Sequence, residues 1–259
     1  VRILPAATGA VAVVVAGAAV LATWPRAATP TAPADPASQT VPAGVTAPPA
    51  ASGRGAALPA TAAKRPLRGP SVSDPSSPWV VVNKVLPLDP GFRPEMSIVR
   101  GYQVATVAAG PLEELLDASG AAGHELKIAS AFRSYAYQHQ VHEATAATRG
   151  REAAERISAR PGHSEHQTGL AVDVVTPADL SCSLAACFAQ QPAGRWLAAN
   201  AWRYGFVVRY RPGDTAVTGF EPEPWHLRYV GRRLAAELRR TGTTTLEEYF
   251  DLPGGDYRR

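Results

Sequence analysis

The stretch PGHSEHQTGLAVDVV, residues 161–175, sets two histidines and a glutamate within four positions, then enters an apolar run interrupted by Asp173. A carboxylate between Val172 and Val174 is costly to bury unless a cation meets it, and a divalent metal ion is one of the few partners that offsets the cost. His166 is the first candidate to share that ion. The two residues are seven apart, about 23 Å on one unbroken strand, which is too far. Gly169 lies between them and permits a tight turn that folds the His166 segment back beside Asp173. A third ligand is available in FEPEPWHLRYV, where His226 follows Glu223 by three residues. Two histidines and one carboxylate form a catalytic zinc donor set, which leaves a position open for water and brings the pKa of that water near 7. Glu223, its backbone restrained by Pro222 and Pro224, is placed to act as the base. Other histidines compete. His163 stands three before His166, and His139 and His142 lie three apart in YQHQVHE, where a polar helix face is the simpler reading.

The elements that must position these groups are legible in outline. GPLEELLDASGAAG reads as a helix with Pro111 in its first turn, Glu113 and Glu114 at the positive end of its dipole, and glycine at its close. HELKIASAF is a strand. SYAYQHQVHEATAATRG is a helix capped by Ser134. GLAVDVV is a strand by its β-branched, alternating character. PAGRWLAANAWRYG is a helix ended by Gly205, with Trp196, Leu197 and Tyr204 for packing. FVVRY and HLRYV are strands, and GRRLAAELRRTG is a last helix. WVVVNKVLPLDP opens the domain with a β-branched run. Strands and helices mix without regular β-α-β alternation, which predicts an α+β fold rather than a doubly wound sheet.

The chain of 259 residues divides by composition. Residues 1–24 hold Arg2 and an apolar stretch from Ala6 to Trp24, long enough to cross a bilayer as a helix, and read as a signal peptide or membrane anchor. Residues 25–78 are rich in Pro, Ala and Thr and too poor in large apolar side chains to offset ordering entropy, so they read as a linker. Its reach runs from about 40 Å as a loose coil to about 160 Å as extended polyproline. The globular domain is expected over residues 79–250, with a tail at 251–259. Either fate of the N-terminus exports the domain, and in that setting Cys182 and Cys187 read as a local disulfide. The formal charge of +4 suits anionic wall polymers or lipid head groups for an exported domain. A nucleic-acid reading would rest on charge alone and predicts strongly salt-dependent binding with no metal.

SEHQTGLAVD and EPWH match the patterns S-x-H-x-x-G-x-A-x-D and E-x-W-H, and here the sequence resembles the VanY-type D-alanyl-D-alanine carboxypeptidases, zinc peptidases that trim peptidoglycan stem peptides. The similarity continues through VVVNKVLPLDP, SAFRSYAYQ, AGRWLAANAWRYGFVVRY and TGFEPEPWHLRYVG, roughly residues 79–231. The resemblance implies a small antiparallel sheet flanked by helices and forming a zinc cleft, as in the lysostaphin, D-Ala-D-Ala metallopeptidase and hedgehog-like fold group. It assigns His166, Asp173 and His226 as ligands of one Zn2+ per domain, preferring His166 over His163 by motif position, and Glu223 as general base. Arg133 in FRSY corresponds to the arginine that polarises the scissile carbonyl or holds substrate. Ser164 and Gln138 fall where they would line the cleft, and Trp225, read most simply with Trp196 and Trp202 as core packing, is also placed to wall it. Ala131 and Phe132 depart from the Gly-Tyr or Gly-Phe that commonly precedes this arginine. The implied reaction is removal of the C-terminal D-alanine from a stem peptide by a zinc-activated water. L,D-carboxypeptidase, D-Ala-D-Ala dipeptidase and endopeptidase activities would use the same motifs, and a non-catalytic wall-binding module would have no need of Glu223.

Overall fold

The computed structural model describes residues 67–257. The expected signal or anchor segment and residues 25–66 of the expected linker lie outside the described residues. In chain order the elements are β1 (Met96–Val99), β2 (Tyr102–Ala105), α1 (Thr106–Ala121), β3 (Lys127–Ser130), α2 (Tyr135–Arg149), α3 (Arg151–Ile157), β4 (Ala171–Val175), α4 (Pro192–Asn200), β5 (Phe206–Tyr210), α5 (Thr215–Thr218), β6 (Glu223–Tyr229), α6 (Arg232–Thr241) and α7 (Leu246–Phe250). Helices and antiparallel strands mix as the sequence predicts: the fold is α+β.

The sheet that matters for function has the order β3-β4-β6-β5, antiparallel throughout. Its central pair sets Asp173 directly opposite His226, with Val172 opposite Leu227 and Ala171 opposite Arg228. A separate hairpin, β1 with β2, turns through Arg100 and Gly101, both at positive φ. One core lies between the sheet and α1 and α4, where Leu112, Leu115, Val172, Val174, Leu197, Phe206 and Leu227 are buried. A second gathers Trp79, Val81, Val207 and Val230 against Leu234 and Leu238 of α6 and Leu246 of α7.

Most sequence expectations match these elements, and the differences have physical causes. Ser134 caps α2, its side chain accepting from the Tyr137 amide. Gly205, at φ +83, ends the expected 192–205 helix, whose last turn tightens to a 3-10 segment over Ala201–Tyr204. α1 starts at Thr106, so Pro111 lies inside the helix rather than in its first turn. Five helical residues precede the proline because Ala105, Ala108 and the residues around them continue the packing of β2 into α1. The run Trp79–Val82 is buried but forms no strand among the described residues. Its backbone is used otherwise: the Arg228 guanidinium donates to the carbonyls of Val80 at 2.6 Å and Pro78 at 3.3 Å. The folded part also reaches past both expected boundaries. Leu67 donates its amide to the Tyr249 hydroxyl, and Tyr257 accepts from the Arg160 amide while packing against His163.

Candidate metal centre and catalytic cleft

The turn expected at Gly169 is present and tight. Residues Glu165–Thr168 form one 3-10 turn, capped at its start by the Ser164 hydroxyl, which accepts from the His166 amide. Gly169 closes it at φ +67, and a Cβ there would stand 2.7 Å from the backbone nitrogen of Ala105, so only glycine fits. The chain thus doubles back, and His166 comes to rest 3.2 Å (Nε2 to Oδ2) from Asp173. His226, on the neighbouring strand, places Nδ1 3.1 Å from the other oxygen of the same carboxylate. One ligand atom from each of the three lies within 4.8 Å of the others, and all three residues are buried.

Hydrogen bonds fix which ring atoms face this point. His166 Nδ1 lies 2.6 Å from the Ala131 carbonyl, which can only accept, so the proton sits on Nδ1 and Nε2 offers a lone pair. His226 Nε2 lies 3.3 Å from the Glu165 carboxylate, which fixes the opposite tautomer and turns Nδ1 inward. His166 Nε2 and Asp173 Oδ1 are buried without a hydrogen-bond partner. The His166 lone pair, the Asp173 carboxylate and His226 Nδ1, whose proton a bound metal ion would displace, converge in a buried space and make a cation site. The outer hydrogen bonds are those that hold metal-ligating imidazoles, and the residues therefore fit a zinc ion.

The charges around the point follow its geometry. His166 is pushed down to about 4, by burial first and then by the Arg133 guanidinium. His226 is raised to about 9 despite burial, because its ring nitrogens bond Asp173 and Glu165. Asp173 is held well below the usual carboxylate range by the two imidazoles, against the opposing effect of burial. Glu223 begins β6, with Oε2 3.5 Å from His226 Nδ1. Burial raises it to about 7, assisted by the Asp173 charge and opposed by His226 and Arg133. A carboxyl poised near neutrality beside a metal point is the profile of a general base.

Around these groups the cleft has two arms. A small one of about 110 Å³ is bordered by Arg133, Ser164, Ser158, Tyr210, Phe220 and Glu223. A larger one of about 460 Å³ runs past Asp173 and Glu223 to Trp225, Arg149 and Leu184. Arg133 borders both, and its Nε is buried without a hydrogen-bond partner, leaving a donor for a ligand. Ser164 and Trp225 therefore border the cleft as their motif positions suggest. Gln138 does not border either arm: it is buried on α2, and its Nε2 donates to the Ala159 carbonyl at 2.7 Å. The other histidines stand apart from the ligand set. His163 Nδ1 bonds the Asn83 carbonyl and His142 Nδ1 that of Ser158. Cys182 and Cys187 form the expected disulfide.

The motif reading does not give Glu165 a role. It is 1% exposed, and besides His226 it meets Arg209 Nε at 2.8 Å and Arg228 Nη1 at 2.9 Å. Arg209 in turn bonds Glu247 at 2.7 Å, which also accepts from Asn83. Two carboxylates and two guanidiniums thus balance one another in the interior, and one of the carboxylates orients a ligand. The sequence does carry a signal: each arginine interrupts an apolar strand, FVVRY or HLRYV, at a position an exposed residue would not hold.

Fold and site together define a peptidase-like cleft built on two histidines and an aspartate over an antiparallel sheet. The family model for VanY, D-alanyl-D-alanine carboxypeptidase, matches residues 101–232. The putative carboxypeptidase YodJ of Bacillus subtilis is 34% identical over 193 residues, 70% of each chain. Among solved structures, the LdcB LD-carboxypeptidase superposes with a TM-score of 0.64 at 33% identity, covering 70% of this chain and 88% of that one. A VanY D,D-pentapeptidase from a VanB-type resistance cassette, solved in complex with Zn(II), gives a TM-score of 0.58 at 32% identity, covering 66% and 97%. The chain belongs to the VanY D-alanyl-D-alanine carboxypeptidase family, and it is a hydrolase of the carboxypeptidase class.

Proposed function

We propose that this protein is an exported zinc D,D-carboxypeptidase that removes the C-terminal D-alanine of peptidoglycan stem peptides. The observation that carries the reading is the convergence of His166 Nε2, Asp173 and His226 Nδ1 on one buried point, with Glu223 and Arg133 beside it. One zinc ion held by these three residues would supply the Lewis acid that activates a water and polarises the scissile carbonyl. Glu223 would take a proton from that water and return it to the leaving amine. Arg133 offers unpaired guanidinium donors to the developing oxyanion or to the substrate carboxylate. Glu165 holds the His226 ring and the Ala131 carbonyl the His166 ring in the orientations in which they would meet the ion.

The small arm suits a terminal residue the size of alanine, and the larger arm suits the rest of the peptide. Export rests on the apolar run from Ala6 to Trp24 and the linker after it, and a disulfide between Cys182 and Cys187 fits an oxidising compartment. The test is zinc content together with D-alanine release from a synthetic pentapeptide ending in D-Ala-D-Ala, for the native domain and its Glu223→Ala variant. Metal-dependent release, lost in the variant while zinc stays bound, supports the reading. Release only from a tetrapeptide ending in a single D-alanine would move the specificity to the L,D bond, and a metal-replete protein without zinc would sink the catalytic reading.

A further inference from the structure

The larger arm of the cleft has an unusual wall. The loop closed by Cys182 and Cys187 brings Leu184, Ala185 and Ala186 to the cleft opposite Trp225. Leu184 is held at φ +50, a conformation a bulky residue rarely adopts, and it remains 47% exposed. The base of the loop is firm: Phe188, next after Cys187, is fully buried, and its carbonyl packs so closely on α4 that a Cβ at Gly194 would stand 2.0 Å away. A strained, exposed leucine on a cross-linked, well-anchored loop is placed for something outside the chain. Arg149, the last residue of α2, borders the same arm. Its neighbours are paired, Arg151 with Glu143, Arg156 with Glu152 and Glu221, and Arg160 with Glu155. Arg149 has no ion pair among the described residues.

We propose that the disulfide-closed loop and Arg149 form a specificity wall that reads the stem residue immediately before the D-Ala-D-Ala end, one position behind the residue that carries the scissile carbonyl. The wall selects an aliphatic side chain that ends in a carboxylate. Methylene groups lie along Leu184, Ala185 and Trp225, and the carboxylate meets the spare guanidinium of Arg149. The inference rests on the carboxypeptidase reading above, because it takes the small arm to hold the departing residue.

Two synthetic peptides with the same D-Ala-D-Ala end test it. In one, the residue before that end carries an aliphatic side chain with both an amine and a carboxylate; in the other it carries the amine alone. The native domain is expected to favour the first by about tenfold in kcat/KM, and Arg149→Ala to bring the ratio near one. Leu184→Gly is expected to raise KM for both peptides several-fold while the melting temperature does not fall, because glycine relieves the positive φ. A native ratio of one, a ratio that survives Arg149→Ala, or an unchanged KM in Leu184→Gly overturns the proposal. D-alanine release from neither peptide overturns the carboxypeptidase reading itself, and this inference with it.

Discussion

At the scale of single residues, the half-buried Glu223 and the buried Glu165 are two carboxylates beside the same imidazole, pushed in opposite directions by what surrounds them. In the metal-free protein burial raises Glu223 to about 7, against the opposing pull of His226 and Arg133. A zinc ion beside Glu223 would lower that value, so activity is expected to rise with pH through an acidic limb below 7, and Glu223→Gln to lose at least about a hundredfold in kcat without losing zinc. A pH–rate profile of kcat/KM checks the first, and metal analysis beside kinetics checks the second. Glu165 is held well below the usual carboxylate range by Arg209 and Arg228 despite burial. Glu165→Gln removes the charge that orients His226, and the expected result is a tenfold to hundredfold weaker zinc affinity, read by competition with a chelating dye. The residues proposed as ligands and base, His166, Asp173, His226 and Glu223, could be singled out in the sequence because a short motif contains each of them, and the fold brings them together. Glu165 could not be, because its partners lie 44 and 63 positions away on other strands, and only the folded sheet brings them together.

At the scale of elements, the site depends on one turn and one register. The 3-10 turn over Glu165–Thr168 must end at a residue tolerating φ +67 with no room for a Cβ. Gly242, which ends α6 at φ +69 with open space around it, offers the comparison. Gly242→Ala should cost about 1 kcal/mol, the penalty for a left-handed alanine. Gly169→Ala should cost more, because the Ala105 backbone must also move, and it alone should weaken zinc binding by displacing His166. Denaturant unfolding of both variants with zinc titration decides the point. Elements whose signals are local, such as α2 with its Ser134 cap and the 192–205 helical stretch with Gly205, could be read directly. The run Trp79–Val82 could not: its β-branched residues predict a strand, but the partner for its carbonyls is an arginine side chain some 150 positions on, not another strand. The start of α1 was missed for a related reason, since packing continued from β2 outweighs the preference of Pro111 for a first turn.

At the scale of the whole molecule, the buried charges tie the catalytic sheet to the last helix. Glu165 reaches His226 on one side and, through Arg209, Glu247 of α7 on the other. The balance of two carboxylates against two guanidiniums holds only while both acids are ionised. Glu165 and Asp173 have folded-state pKa values below their unfolded ones, so their contribution is complete above about pH 4 and is lost as pH falls further. Glu223 works the other way: its raised value favours the folded, protonated form at low pH and costs stability as pH rises from about 4 to 7. The two effects separate along the pH axis. His166, pushed down to about 4, costs stability as pH falls from about 6.5 to 4 and offsets Glu223 there, while His226, raised to about 9, costs stability as pH rises above about 6.5, so the metal-free domain is expected to be most stable on a plateau between about pH 5 and 6.5 and to lose at least roughly 2–3 kcal/mol between pH 5 and 3. Replacing Glu165 by Gln should flatten that acid limb, since the group that must be protonated is gone, while lowering stability at pH 6 by about 3 kcal/mol because Arg209 and Arg228 lose their shared partner. Melting temperatures from pH 3 to 8 for both proteins test this. An acid limb equally steep in the variant would mean that Asp173, and not the network reaching α7, sets the acid sensitivity of the fold.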